Sequence, residues 1–371
     1  NPEPNKQYPK PDIWVQITIP NEFMPQGHYN IGITAGIEST VASADWVEGC
    51  NRMDLILGSS NHSIQALKTS KFQKRDNQTQ QLIANIELNT KTDILFEGLN
   101  LDTYKPVDST LDLSDIKESF CYLFVGTWIQ GDFGHDRKNI GVLIKSFLET
   151  FKNKQQKPAL ILKTSHSGVS YVDRDLILNK IEEIKKTIKG KLPNVYLLHG
   201  DFSNSEINEL YNHKKVKAMI SLTKGEGFGR PLLEFTQVKK PIIVSGWSGH
   251  IDFLKPDMSI LLPGTLGPVH KSAQNKWLIE GSQWFDVDIM TLNKVLKDTY
   301  KKYKTYIPNA RRQATYAKDN FSYKKMKEKL DIILEDNVTQ TPKQVDLKLP
   351  KLKKSKKKEL PKLKIPKLQK I

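Results

Sequence analysis

The chain has 371 residues, 38% of them hydrophobic and 9% aromatic, enough for two globular domains with cores of their own. Its net charge of +16 is uneven, because residues 343 to 371 hold 12 Lys against Asp346 and Glu359 and so account for +10. Two cysteines, Cys50 and Cys121, stand in neither metal-ligand nor redox spacing, and no apolar run nears the roughly 20 residues of a membrane span. These features argue against a disulfide framework and an integral membrane protein, and point to a reducing, cytoplasmic setting.

In chain order, the first 110 residues offer four strand candidates, at 12–20, 30–36, 53–60 and 92–98. Residues 60–72 read as a helix capped by Ser60 or Asn61. A leading strand with a glycine-rich loop, the usual opening of such a domain, is missing. The chain also starts without Met, so this half is expected to be truncated.

From residue 118 the alternation is regular. "CYLFVG" (121–126) reads as a strand and 139–153 as an amphipathic helix; "PALILKT" follows as a strand and 174–190 as a helix. "NVYLLHG" is the next strand, and Ser203 with Glu206 forms a capping box for the helix after it. "VKAMISL", a helix opening at Arg230-Pro231, and "KPIIVSG" complete the series. Apolar strands separated by helices predict βαβ units, hence a doubly wound, Rossmann-like domain over about 118–270. Helical patterns at 287–304, 307–318 and 321–335 close it.

The chemistry concentrates in "TKGEGFGRPLLEF", residues 223–235, a loop at the carboxyl end of a strand. Ligands of open α/β sheets bind there, and a helix N-terminus suits a phosphate. Gly227 and Gly229 let the backbone approach closely. Glu234, one turn into the helix, can accept from ribose hydroxyls, and Glu226 can reach a second polyhydroxyl group beyond the phosphates. The spacing fits a nucleotide diphosphate attached to a sugar. Among rival motifs, the Asp-x-Asp pairs at 173–175 and 286–288 precede helices and read as N-caps, and no histidine pair has metal-ligand spacing. Trp247 reads as a packing aromatic.

Glu-x7-Glu around Gly-Phe-Gly-x-Pro resembles the signature of retaining GT-B glycosyltransferases of the family-4 type. Residues 94–106 are similar to that family's interdomain crossover, 123–147 to its donor-domain phosphate loop and helix, 194–211 to the nucleoside-pocket strand, and 320–334 to the closing helix. The resemblance implies two facing Rossmann-like domains: an acceptor side over 1–106, a donor side over 107–336, and a disordered Lys/Pro-rich tail over 337–371. It implies that Glu226 bonds the donor sugar, that Glu234 holds the ribose, and that Phe228 and Gly229 offer amides to the phosphates. Lys138 matches the lysine that neutralises the leaving diphosphate, with the Arg230 terminus assisting. Thr127 stands where the family usually has Arg, and Arg137 or Lys163 is expected to supply that charge. Gly36 stands where a catalytic-side His is expected, with Glu38 and His28 nearby.

The expected activity is transfer of a sugar from a GDP- or UDP-linked donor to a glycan or other hydroxyl acceptor, with retention and with no metal or further cofactor. Two alternatives are a non-catalytic nucleotide-sugar or glycan binder, favoured by Gly36, and a nucleic-acid-binding protein, favoured by the tail. The tail reads either as a solubilising extension or as one drawn by charge to anionic lipid, a membrane surface being preferred over nucleic acid. The donor half, complete in its strands, is expected to fold and bind nucleotide by itself.

Overall fold

The computed structural model describes residues 9–338, so the basic tail expected over 337–371 lies almost wholly outside the described residues. The first unit runs β1 (Ile13–Ile17), β2 (Tyr29–Thr34), α1 (Ala44–Cys50), β3 (Leu55–Gly58), α2 (Asn61–Thr69), an exposed hairpin β4 (Phe72–Arg75) and β5 (Leu82–Ile86), then β6 (Lys91–Ile94). Four strands pair in parallel in the order β1-β2-β3-β6. Each crossover moves one place along, and right-handed crossovers of that kind all lie on one face. On that face Ile56 meets Phe23, Trp46, Ile64 and Leu67. Leu55 and Leu57, one residue to either side, serve the opposite face, as the two-residue period of a strand requires.

The second unit runs β7 (Cys121–Val125), α3 (Ile140–Phe151), β8 (Ala159–Lys163), α4 (Tyr171–Lys186), β9 (Val195–Leu198), α5 (Asn204–Asn212), β10 (Val216–Ser221), α6 (Arg230–Phe235), β11 (Ile242–Ser245) and β12 (Ile260–Leu262). Its six parallel strands take the order β12-β11-β10-β7-β8-β9, the doubly wound arrangement with the chain reversing direction between β7 and β10. The strands are buried on both faces, which explains their unbroken apolar runs. The expected capping box is present on α5, where Ser203 N donates to Glu206 at 2.7 Å and Glu206 N to Ser203 Oγ at 3.3 Å. Of the two cap candidates for α2, Ser60 is the one used. Helix α4 starts three residues earlier than expected, because Ser170 caps it by accepting from Asp173 N.

After β12 come an antiparallel hairpin, β13 (Gly264–Pro268) and β14 (Gln283–Val287), then α7 (Ile289–Lys301), α8 (Tyr303–Phe321) and α9 (Tyr323–Asn337). Helix α8 begins at Tyr303, four residues earlier than the expected 307, with Pro308 in its second turn. Two of these pieces return to the first unit. The segment between β13 and β14 brings Trp277 to within 5.5 Å of Trp46, and Val269, Leu278 and Trp284 join the first unit's core. Helix α9 lays Met326, Leu330 and Leu334 on Leu55, Leu57 and Leu95, covering the sheet's second face. Where the chain crosses back it runs beside the outgoing crossover, with Leu99 N donating to Phe321 O at 2.7 Å and Tyr323 N to Leu99 O at 3.0 Å. Among the described residues no helix is long and apolar enough to cross a membrane.

Candidate active site

At the reversal point two loops leave neighbouring strand ends, 126–139 after β7 and 222–229 after β10. The first is turned by Asp136, whose carbonyl accepts from Asn139 N at 3.0 Å and whose carboxylate accepts from Ile140 N at 3.2 Å. That turn aims Arg137 and Lys138 at the second loop, and Lys224 N fixes the pair of loops by donating to Arg137 O at 2.7 Å.

Lys138 is ion-paired with Glu226, and both are buried. Arg137 Nη1 stands 3.3 Å from the other oxygen of Glu226, and its Nε stands 3.5 Å from Glu38 of the first unit. Burial alone would raise the Glu226 carboxyl; the Lys138 and Arg137 charges outweigh it and hold the group down at about 2. The result is a chain of alternating charges running from the second unit into the first. Sequence reasoning named Lys138, Arg137 and Glu226 separately, but not their contact, nor the part of Glu38.

The next residues carry unpaired backbone N–H groups. Among the described residues, the backbone N–H groups of Phe228, Gly229 and Arg230 donate to no protein acceptor. Successive free amides of this kind make a concave anion site. The Phe228 ring itself packs in the core against Phe253, 5.0 Å between centroids, which anchors the loop. His250, missed from sequence, is buried beside Gly229 and bonds Ser245 O through Nε2 at 2.7 Å; burial pulls its pKa down. Inside α6, Glu234 accepts from Tyr211 at 3.4 Å, and burial raises its carboxyl. Arg230 is 60% exposed and sits between Glu234 (3.5 Å) and Glu97 (3.7 Å). Its guanidinium therefore faces two carboxylates rather than Glu226.

The first unit meets the loop through α2 and the end of β2. Ser60 Oγ donates to Gly227 O at 2.5 Å, with the Ser59 and Ser63 hydroxyls also within 3.2 Å of it. A Cβ on Gly227 would lie 2.3 Å from Ala35 O, so only glycine allows this approach. Gly36 has φ +78°, and a Cβ there would lie 2.3 Å from Ser63 Cβ. A histidine is sterically barred from that position. His28 is exposed just before β2, at the strand's amino end rather than the carboxyl end where Gly36 lies, and its backbone N–H pairs with Pro11 O at 2.9 Å.

The remaining candidates separate. Thr127 is exposed just past β7. Lys163 donates to Gly200 O at 2.6 Å and lies 4.6 Å over the Phe202 ring, at the β8–β9 edge, outside the charge chain. Asp288 caps α7, as expected. Asp173 is not an N-cap: it sits in the first turn of α4 and gathers the amides of His166 and Ser167 with His199 Nε2, all at 2.8–2.9 Å. Asp286 pairs with Lys224. Trp247 packs edge-on to His62 at 4.6 Å. Among the described residues no cluster of three or more His, Cys, Asp or Glu is placed to hold a metal.

The sequence matches no protein-family model and no curated protein. The structure does have relatives. It superposes on sucrose-phosphate synthase from Thermosynechococcus elongatus with a TM-score of 0.59 at 13% identity, over 84% of this chain and 68% of that one. The chain has the GT-B fold. The same GT-B framework recurs in Anabaena HepE in complex with UDP-glucose, with TM-score 0.52, 13% identity and coverage of 83% and 72%. A trehalose-6-phosphate synthase studied for glycosyl transfer with retention gives TM-score 0.54 at 10% identity, with coverage of 84% and 68%. At these identities the likeness carries the fold.

Proposed function

We propose that this protein is a retaining glycosyltransferase that moves a sugar from a nucleotide-diphosphate donor to a hydroxyl acceptor in the cleft between its two sheets. The observation that carries the reading is the convergence of Lys138 and Arg137 on Glu226, beside the three free amides of residues 228–230 and at the reversal point of a doubly wound sheet. Such a place collects positive charge and N–H donors where a diphosphate needs both. The diphosphate takes Lys138 and Arg137 from Glu226, and the freed carboxylate accepts from hydroxyls of the donor sugar. Glu234 accepts from the ribose. As the glycosyl–oxygen bond breaks, charge builds on the β-phosphate, and the two cations with the loop amides stabilise it. The leaving phosphate takes the acceptor's proton on the same face, which gives retention.

UDP is the first nucleotide to test, since HepE was captured with UDP-glucose; GDP is the alternative. The side chains present supply the charge without a metal. A cytoplasmic location, with contact to anionic membrane through the basic tail, belongs to the same reading. The deciding experiment is calorimetric titration of the full chain with UDP and GDP, followed by donor turnover against an acceptor library. No affinity for either nucleotide would refute the proposal.

A further inference from the structure

A cavity of about 370 Å³ lies in the cleft, at the carboxyl ends of all four strands of the first sheet and opposite the start of α6. That volume is within the usual range for small-molecule pockets, roughly 300–1,000 Å³. Its lining is divided. Toward the donor loop it presents Glu97 and Arg230, 3.7 Å apart. Its apolar lining is Ile17, Tyr323 and Met326 toward solvent, with the buried Leu95 behind them. Ile17 is 76% exposed and Tyr323 51%. Glu97 has a raised carboxyl because burial disfavours its charge, and it lies close enough to Glu226 and Glu234 to feel both.

We infer that this pocket receives an amphiphilic acceptor: a hydroxyl-bearing head held by Glu97 and Arg230, and an alkyl or aryl group lying against Ile17, Tyr323 and Met326. The name acceptor rests on the glycosyltransferase reading; the division of the pocket does not. Ligands of parallel sheets bind beyond the carboxyl ends of the strands, and here all four ends open on one space. The polar pair lies on the side of Glu234 and the donor loop, so the head enters first and the apolar group stays outermost. A wholly polar glycan would leave the Ile17–Met326 wall in water, whereas an alkyl group removes that wall from solvent. Arg230 connects the pocket to the donor site, since the same guanidinium stands 3.5 Å from Glu234.

The test is calorimetric titration of the full chain with n-octyl β-glucoside, below its micelle concentration, and with methyl β-glucoside, each with and without UDP. The octyl glycoside should bind at least tenfold more tightly, with UDP present or absent. Ile17→Asp, at an exposed strand end, should erase that preference and leave UDP affinity unchanged. Co-sedimentation with neutral vesicles doped with oleyl glucoside would assign the acceptor to a membrane, and binding of the free glycoside alone to a soluble source; either supports the pocket. Octyl and methyl glucosides of equal affinity, no binding of the octyl glycoside, a preference that survives Ile17→Asp, or displacement of the octyl glycoside by UDP would each overturn the inference. Failure of UDP to bind, with the octyl preference intact, would count against the transferase reading and leave the pocket standing.

Discussion

Arg137 reaches across the cleft to Glu38, its Nε 3.5 Å from Oε1, while the same guanidinium holds Glu226 at 3.3 Å. One side chain thus ties the loop after β2 to the loop after β10. On the proposed function the cations in this tie are the ones that meet the diphosphate, so donor binding would compete with it. Glu38→Gln should therefore tighten UDP binding, by up to about fivefold for a pair worth about 1 kcal/mol or less. Calorimetry on the two proteins reads this directly; weaker binding in the variant would show that Glu38 helps to present Arg137 instead of restraining it.

The two glutamates of the signature should respond differently. Glu226→Gln leaves Lys138 and Arg137 buried with one partner fewer, a change that typically destabilises by about 3–5 kcal/mol. UDP should restore part of that loss, so its stabilising effect on the variant should exceed that on the parent. Glu234→Ala should weaken UDP itself by roughly 1.5–3 kcal/mol, for lost bonds to a charged acceptor. Denaturant unfolding with and without UDP separates the cases, and equal loss of free UDP affinity in both variants would end the division of roles.

Lys138 tests the leaving-group chemistry. With Lys138→Ala, turnover should fall by about two to three orders of magnitude, as for removal of one preorganised donor to a developing anion. EDTA should leave the parent's turnover unchanged. Activity that disappears with EDTA and returns with manganese would move the charge stabilisation to a metal.

Much of this site was legible because its chemistry is local. Glu226, the glycines and Glu234 fall within nine residues, and strand, loop and helix are spelled out by apolar runs and Pro231. What escaped is what depends on folding across the cleft. Ser63 closes the space at Gly36, so the expected histidine has no room, and nothing in the local sequence reports a serine 27 residues away. Glu38 finds Arg137 only once the two sheets face each other. The β13–β14 hairpin was invisible for another reason: "GTLGP" carries two glycines and a proline, poor strand formers, and is held by its partner strand and by burial of Trp284.

Acid should destabilise the protein in two windows. Burial lowers His62 from its ordinary 6.5 to about 4, helped by His250 and opposed by a bond to the Ile37 backbone. The unfolded chain therefore takes up this proton first, and stability present above pH 6.5 is lost as pH falls toward 4, on the order of 3 kcal/mol. Glu226, held at about 2, keeps its contribution above its ordinary 4.5 and loses it between there and 2. His62→Phe keeps a ring against Trp247 but cannot titrate. Its melting temperature should fall less than the parent's between pH 7 and 4.5, and parallel curves would remove His62 as a source.

The final prediction concerns the unity of the two halves. Strand count alone suggests that residues 107–336 can stand by themselves, but the packing argues otherwise. Helix α9 places Met326, Leu330 and Leu334 on the first sheet, and the β13–β14 segment shares its core through Trp277 and Trp284. The Gly227 carbonyl, at the centre of the donor loop, is held by serines of α2 and the turn before it. A fragment of 107–336 would expose these surfaces together. It should be less stable than the whole chain, bind an apolar dye, and bind UDP at least tenfold more weakly, because the loop that supplies the amides has lost its brace. The intact chain should melt in one transition, and Trp46→Ala, which empties the shared core, should lower that single transition by about 3–5 kcal/mol. Two separate transitions in the parent, or a fragment that binds UDP as tightly as the whole, would show that the halves are energetically independent despite their shared core.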